Sequence, residues 1–359
     1  MIRKLQSINK RIFPQHLFYQ PDWIVLGVNN ICNLHCKMCD VGVKYKKSNF
    51  YQHLMGASPL NMPLDLIRRI MDQSAQHFPG TKIGYAFTEP GVYPHLMESL
   101  AYAKSKNIYT TVTTNGLNLP KIAEGLCENG LKELFISLDG PARVHNEIRG
   151  NKRSFELALE GIKKLIEHKG NRPAISIYCT ITQWNIGHLK EFTDLFSGFP
   201  LKEIGFMHTN YTPQSLADQH NTIFRGSYPA TASNMEQIDL EQIDLELLNR
   251  EISRIRETNY PYKISFSPEL NSREALHTFY HQPEIKLGKI CNDAFNNILI
   301  KSDGTVIPAH GRCYNVMAGN IYENDLREIW NAKSLAEFRK TLIRNGGQLP
   351  ACSRCCSAF

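Results

Sequence analysis

Trp23-Ile-Val-Leu-Gly-Val28 is an unbroken apolar run, and after three intervening residues begins Cys32-Asn-Leu-His-Cys36-Lys-Met-Cys39. A short apolar run bounded by polar residues reads as a buried strand. The loop behind it spaces three thiols as C-x3-C-x2-C. Structural zinc takes four ligands, commonly from two C-x2-C pairs, so this set is one short. His35 lies inside the loop, awkwardly placed to ligate together with its neighbours. Thiolates on short loops hold four-iron clusters. Three on such a cluster leave one iron open to a small molecule, which is a catalytic arrangement.

Outward from this loop, short β-like runs alternate with amphipathic helical stretches as far as His208. The predicted strands are Trp23–Asn29, Lys82–Phe87, Ile108–Thr113, Leu134–Leu138, Ala174–Thr182 and Glu203–Met207, with helices such as Leu64–Gln76 and Ser154–His168 between them. Six βα repeats imply an α/β fold with a parallel sheet. Period-two alternation places Ser137 and Asp139 on one face of the fourth strand, pointing into a barrel, and Ile136 and Leu138 on the other. On the fifth strand it groups Cys179 with Ile175, Ile177 and Ile181, so this thiol is expected under the helices; Cys127 is read as core.

The cysteine loop directly after an apolar strand resembles the signature of the radical S-adenosylmethionine (SAM) superfamily. The resemblance implies a partial (β/α)6 TIM-like barrel with its site at the C-terminal strand ends. It implies a 4Fe-4S cluster on Cys32, Cys36 and Cys39 whose open iron chelates SAM. Phe87-Thr88-Glu89-Pro90 stands where the family shows Gly-Gly-Glu-Pro, so Thr88 and Glu89 would meet the SAM amino group. Thr113-Thr114-Asn115-Gly116 is similar to the family's turn near the ribose, placing Asn115 there. Ser137-Leu-Asp139-Gly140-Pro141, followed by His145 and Arg149-Gly150, resembles a segment in which Ser137 and Arg149 would hold the SAM carboxylate. Asp139, beside Ser137, and His208, closing the sixth strand, are the catalytic candidates.

A second cysteine group lies near the end: Cys291, Cys313, Cys352, Cys355 and Cys356, around a hairpin pattern at Asp303-Gly304. The order resembles the twitch or SPASM-like auxiliary-cluster domain, a small α+β unit. A second 4Fe-4S cluster on Cys291, Cys313, Cys352 and Cys355 is expected, with His310 or Cys356 able to replace one ligand; a closed four-cysteine site also suits zinc. The organisation expected is a basic helix (1–20), the barrel (21–208), a connecting segment with a substrate lid and a charged helix at Asp239–Glu257 (209–288), and the auxiliary domain (289–359).

With 359 residues, 42% hydrophobic and 21% charged, the chain is neither disordered nor fibrous. No apolar run is long enough to span a bilayer. The first twenty residues carry Arg3, Lys4, Lys10 and Arg11 and no acid, without the apolar core of a secretory signal. A basic helix packed on the domain is favoured there over one lying on a membrane surface. A cytoplasmic location follows, as does a reading of clustered cysteines as ligands, not disulfides. The net charge of +7 makes no case for nucleic acid. A flavodoxin- or ferredoxin-like electron donor is implied. Three functions are compatible with these motifs: redox modification of a small polar metabolite (sugar- or cyclitol-like), radical modification of a peptide, and a non-catalytic iron–sulfur or zinc module. The short stretch before Trp23 cannot form a leader-binding domain, which favours the small molecule over a peptide substrate.

Overall fold

The computed structural model of the chain describes residues 2–56, 60–308, 314 and 316–359. Among the described residues ten strands form one sheet: β1 (Trp23–Leu26), β2 (Lys82–Tyr85), β3 (Thr110–Thr114), β4 (Glu133–Ser137), β5 (Ala174–Ile181), β6 (Glu203–His208), β7 (Lys263–Ser267), β8 (Asn297–Ile300), β9 (Thr305–Ile307) and β10 (Gly319–Asn320). Their spatial order is β10-β9-β8-β1-β2-β3-β4-β5-β6-β7. From β8 through β1 to β7 every neighbouring pair is parallel. Parallel neighbours need crossovers, and each step from β1 to β8 carries at least one helix.

The six expected strands are present, within a larger sheet. β7 adds a seventh through the alternation Ile264, Phe266. β8 pairs in parallel with β1, Trp23 opposite Asn297 and Leu26 opposite Ile300. It is also the first strand of the C-terminal hairpin, antiparallel to β9. The order β8-β1 through β7 is the cyclic order of an eight-stranded barrel; among the described residues, β7 and β8 do not pair.

Alternation then sorts the side chains. Ile136, Ile177, Cys179, Ile204 and Phe206 are buried against the helical layer, where each large apolar side chain contributes roughly 1.5–3 kcal/mol. Phe135, Ser137, Tyr178, Thr180 and Met207, of the opposite parity, are half-buried and line the inner face. The charged helix is shorter than expected. The repeated Glu-Gln-Ile-Asp-Leu supplies two caps: Asp239 accepts from Glu241 N and starts one 3-10 turn, whereas Asp244 accepts from Leu247 N and starts the helix Leu245–Glu257.

Candidate active site

The three N-terminal thiols follow β1 at the C-terminal end of the parallel strands, and the loop is fixed by backbone bonds. His35 N donates to Arg149 O (3.2 Å) and Lys37 N to Ile148 O (2.9 Å), tying it to the end of the helix Ala142–Arg149. That helix ends at Gly150, whose φ of 65° favours glycine. Gly42 closes the loop from the other side: a Cβ there would lie 2.4 Å from the Cys36 carbonyl oxygen. Asp40, fully buried, accepts from Ser233 Oγ and Asn234 N (both 2.7 Å), so a remote turn is clamped to the residue after Cys39.

Burial pushes the Cys32 and Cys36 thiols up to about 11 and raises Cys39 as well. Three thiols in one loop, Cys36 buried and Cys32 and Cys39 half-buried, suit a cationic centre that holds them as thiolates. Among the described residues no three His, Cys, Asp or Glu side chains converge on one ion. Three thiols are one short of a closed zinc site and suit a four-iron cluster with one open iron.

Around the loop lies a buried charge network. Arg149 Nε donates to Asp139 Oδ2 at 2.5 Å, and its Nη1 is 3.6 Å from Cys36 Sγ. The Asp139 carboxylate raises the Arg149 pKa against the cost of burial. Asp139 Oδ1 accepts from Thr180 N, and Asp139 N donates to His145 Nδ1, both at 3.0 Å. Burial, then the nearby Arg149 charge, lower His145 to about 3 and keep the imidazole neutral. Asp139 is thus fully buried with both oxygens engaged, the geometry of a group that orients Arg149.

Glu89 is likewise enclosed. Its carboxylate accepts from Thr114 Oγ1 (2.6 Å), Gly91 N (2.7 Å) and Asn115 N (2.7 Å), knitting the ends of β2 and β3 together. Burial raises its pKa, opposed by those bonds. Thr88 Oγ1 donates to Asn29 O at 2.8 Å, and Asn115 Nδ2 to Asn33 Oδ1 at 2.7 Å, joining both turns to the cysteine loop. Phe87 takes a φ of 84°, a conformation that favours glycine, where the resembled motif has one. Ser137 is half-buried, and its hydroxyl makes no hydrogen bond among the described residues.

His208 falls elsewhere. It shares its strand face with Ile204 and Phe206, so it points into the helical layer. There Nδ1 lies 2.8 Å from the Tyr280 hydroxyl and the ring packs on Phe279. Burial lowers it to about 3. Cys179 is fully buried in the same layer, as its strand parity indicated.

The C-terminal thiols Cys291, Cys352 and Cys355 line one cavity with Tyr211, Tyr314 and Arg354. The Tyr314 hydroxyl is 3.1 Å from Cys352 Sγ. Burial raises Cys291 and takes Cys352 to about 11, the same effect as at the first loop. Cys313 and His310 lie outside the described residues; Cys356 is half-buried. Arg354, between the thiols, donates to the carbonyls of Thr278, Phe279, Gln282 and Ile285 at the end of the helix Arg273–His281. Neither this brace nor the Asp40 clamp and the Gly42 approach was foreseen. Only Gly42, three residues past the last loop cysteine, left a local signal.

Comparison with known proteins agrees with this geometry. The profile of the Radical SAM superfamily matches residues 27–196, and that of SPASM, an iron–sulfur cluster-binding domain, matches residues 291–356. The chain is 26% identical to AdoMet-dependent heme synthase of Methanosarcina barkeri (strain Fusaro), over 86% of this chain and 82% of that protein. It is 27% identical to Fe-coproporphyrin III synthase of the same organism, over 52% of this chain but only 44% of that protein. Among solved structures, Streptococcus suis SuiB superposes with a TM-score of 0.61 at 16% identity, covering 94% of this chain and 73% of that one. The anSMEcpe structure with bound AdoMet gives 0.60 at 18% identity, covering 89% and 82%. These likenesses establish the fold. Two cysteine sets, each enclosed by its matched profile, complete the case: the chain belongs to the radical SAM superfamily, as an enzyme that carries a SAM-binding 4Fe-4S cluster and a C-terminal SPASM iron–sulfur domain.

Proposed function

We propose that this chain abstracts a hydrogen atom from a small, uncharged, hydroxyl-bearing metabolite, sugar- or cyclitol-like, and passes the substrate electron to a single auxiliary cluster. The observation that carries this reading is the inner face of β4 to β6. Ser137, Tyr178 and Thr180 bring hydroxyls there that make no side-chain hydrogen bond among the described residues, beside Phe135 and Met207. Hydroxyl donors and acceptors against an aromatic wall suit a polar, neutral ligand.

Cys32, Cys36 and Cys39 would hold the 4Fe-4S cluster, which when bound would supply the electron for reductive cleavage of SAM. Arg149 would hold the SAM carboxylate: Asp139 occupies its Nε, and donors remain on the rest of the guanidinium. Ser137 would add a hydroxyl, and Asn115 and Thr88 would shape the pocket. Glu89 would act by fixing the β2 and β3 turns, with one lone pair of its carboxylate left for the SAM ammonium. Asp139 and His208 would be positioning residues. Cys291, Cys352 and Cys355 would hold the auxiliary cluster together with Cys313. Five cysteines in this region suffice for one such cluster.

A peptide substrate is the second reading. It is favoured by the backbone likeness to SuiB, solved bound to its precursor peptide SuiA, and to anSMEcpe, solved with bound peptides. The test is 5′-deoxyadenosine release by the reconstituted enzyme, given an extract divided by ultrafiltration. Stimulation by the low-mass filtrate supports the metabolite. Stimulation by the retentate alone overturns it in favour of a peptide or protein.

A further inference from the structure

The N-terminal helix Ile2–Ile12 docks on the body by its polar side. Lys10 Nζ donates to Asn296 Oδ1 at 2.7 Å and lies near the Tyr19 and Phe295 rings. Asn9 is buried, donating to the carbonyls of Phe13 and His16 and accepting from Phe18 N. The apolar stripe at i, i+3 and i+7 consequently faces away from the protein: Leu5 is 59%, Ile8 52% and Ile12 60% exposed. A helix on a globular domain ordinarily does the reverse. Phe13 and Phe18, 50% and 74% exposed, pack edge to face at 6.4 Å just beyond it. Five of the eleven large apolar side chains exposed among the described residues thus fall within these first eighteen positions.

Charge decides what covers this face. On a helical wheel Lys4 and Arg11 lie seven residues apart along one flank of the stripe, both exposed. No acidic residue occurs before Asp22. Exposed apolar anchors flanked by basic groups, with no acid to repel phosphate, match the composition of helices that lie in the plane of a bilayer interface. The helix also sits at the correct end of the molecule for this. Asn296 and Asp22 immediately precede β8 and β1, whereas the cysteine loop follows β1, so the contact would leave the strand ends that carry the site turned away. We infer that the helix Ile2–Ile12, with Phe13 and Phe18, docks the enzyme on an anionic phospholipid surface.

The test is flotation of the full-length protein with vesicles of phosphatidylcholine alone, or with about 30% phosphatidylglycerol, where each basic residue at the surface is worth about fivefold in affinity. The wild type is expected to float with the anionic vesicles and to be released by salt. Lys4→Ala/Arg11→Ala should weaken binding about thirtyfold, and Leu5→Glu/Ile8→Glu about a hundredfold, with unchanged circular dichroism and SAM cleavage. No flotation of the wild type overturns the inference. So does equal flotation on neutral vesicles. So too does a dimer in sedimentation that Leu5→Glu/Ile8→Glu dissociates, which would assign the face to a second copy.

Discussion

The two cysteine sites are built on different principles. The N-terminal loop is surrounded by buried charge: Arg149 paired with Asp139, a neutral His145 behind them, and Glu89 tying two strand ends together. The C-terminal set is braced by arginine against backbone. Arg354 donates to carbonyls at and just beyond a helix end, and Arg339 donates to those of Ala294 and Trp330 with its guanidinium 4.4 Å from the Trp330 ring. Burial lowers Arg339 to about 9. A site that must grip a zwitterionic ligand keeps charged groups oriented beside its thiols. A site that only holds a cluster needs rigid walls, and capped carbonyls provide them.

The difference can be broken by mutation. Arg149→Leu leaves the Asp139 carboxylate buried and unpaired, an expected loss of about 3–5 kcal/mol in anaerobic denaturant unfolding; a loss under 1 kcal/mol would show that the pair does not hold this site together. Acid should find the same weakness. His145 and His208 titrate near 3 when folded and near 6.5 when free. The unfolded chain therefore binds more protons between those values, and stability falls as pH drops from 6.5 toward 3. Each histidine contributes up to about 1.4 kcal/mol per pH unit, and His145→Gln should remove its share of the slope. At the other site, Arg354→Met removes charge-assisted hydrogen bonds at a cost of about 1.5–3 kcal/mol, with iron lost from the C-terminal set alone. Gly42→Ala should cost about 1–3 kcal/mol by overpacking and lower iron at the first loop only. The smallest effect is expected of Ser137→Ala, which should weaken SAM binding about three- to tenfold, measured by anaerobic equilibrium dialysis.

What could be read from the sequence divides along the same line. The Cys32, Cys36 and Cys39 loop and the polar face of Ser137 and Asp139 were legible because spacing and period-two alternation are local. So was the burial of Cys179. His208, a catalytic candidate by its place at a strand end, shares the face of Ile204 and Phe206 and so meets Tyr280 in the helical layer; strand parity decides that face. The pairing of β8 with β1 joins positions some 270 residues apart, and no local pattern encodes it. The same holds for Asp40 with Ser233, and for Arg354 with the end of a helix seventy residues earlier.

The most direct test is to count iron and 5′-deoxyadenosine side by side in the anaerobically reconstituted wild type, Cys32→Ala and Cys355→Ala. About eight irons are expected in the wild type and about four in each variant, with SAM cleavage under dithionite lost in Cys32→Ala and retained in Cys355→Ala. A wild type with about four irons, or a Cys355→Ala variant that loses SAM cleavage while keeping four, would contradict the separation of a catalytic first site from a cluster-holding second one.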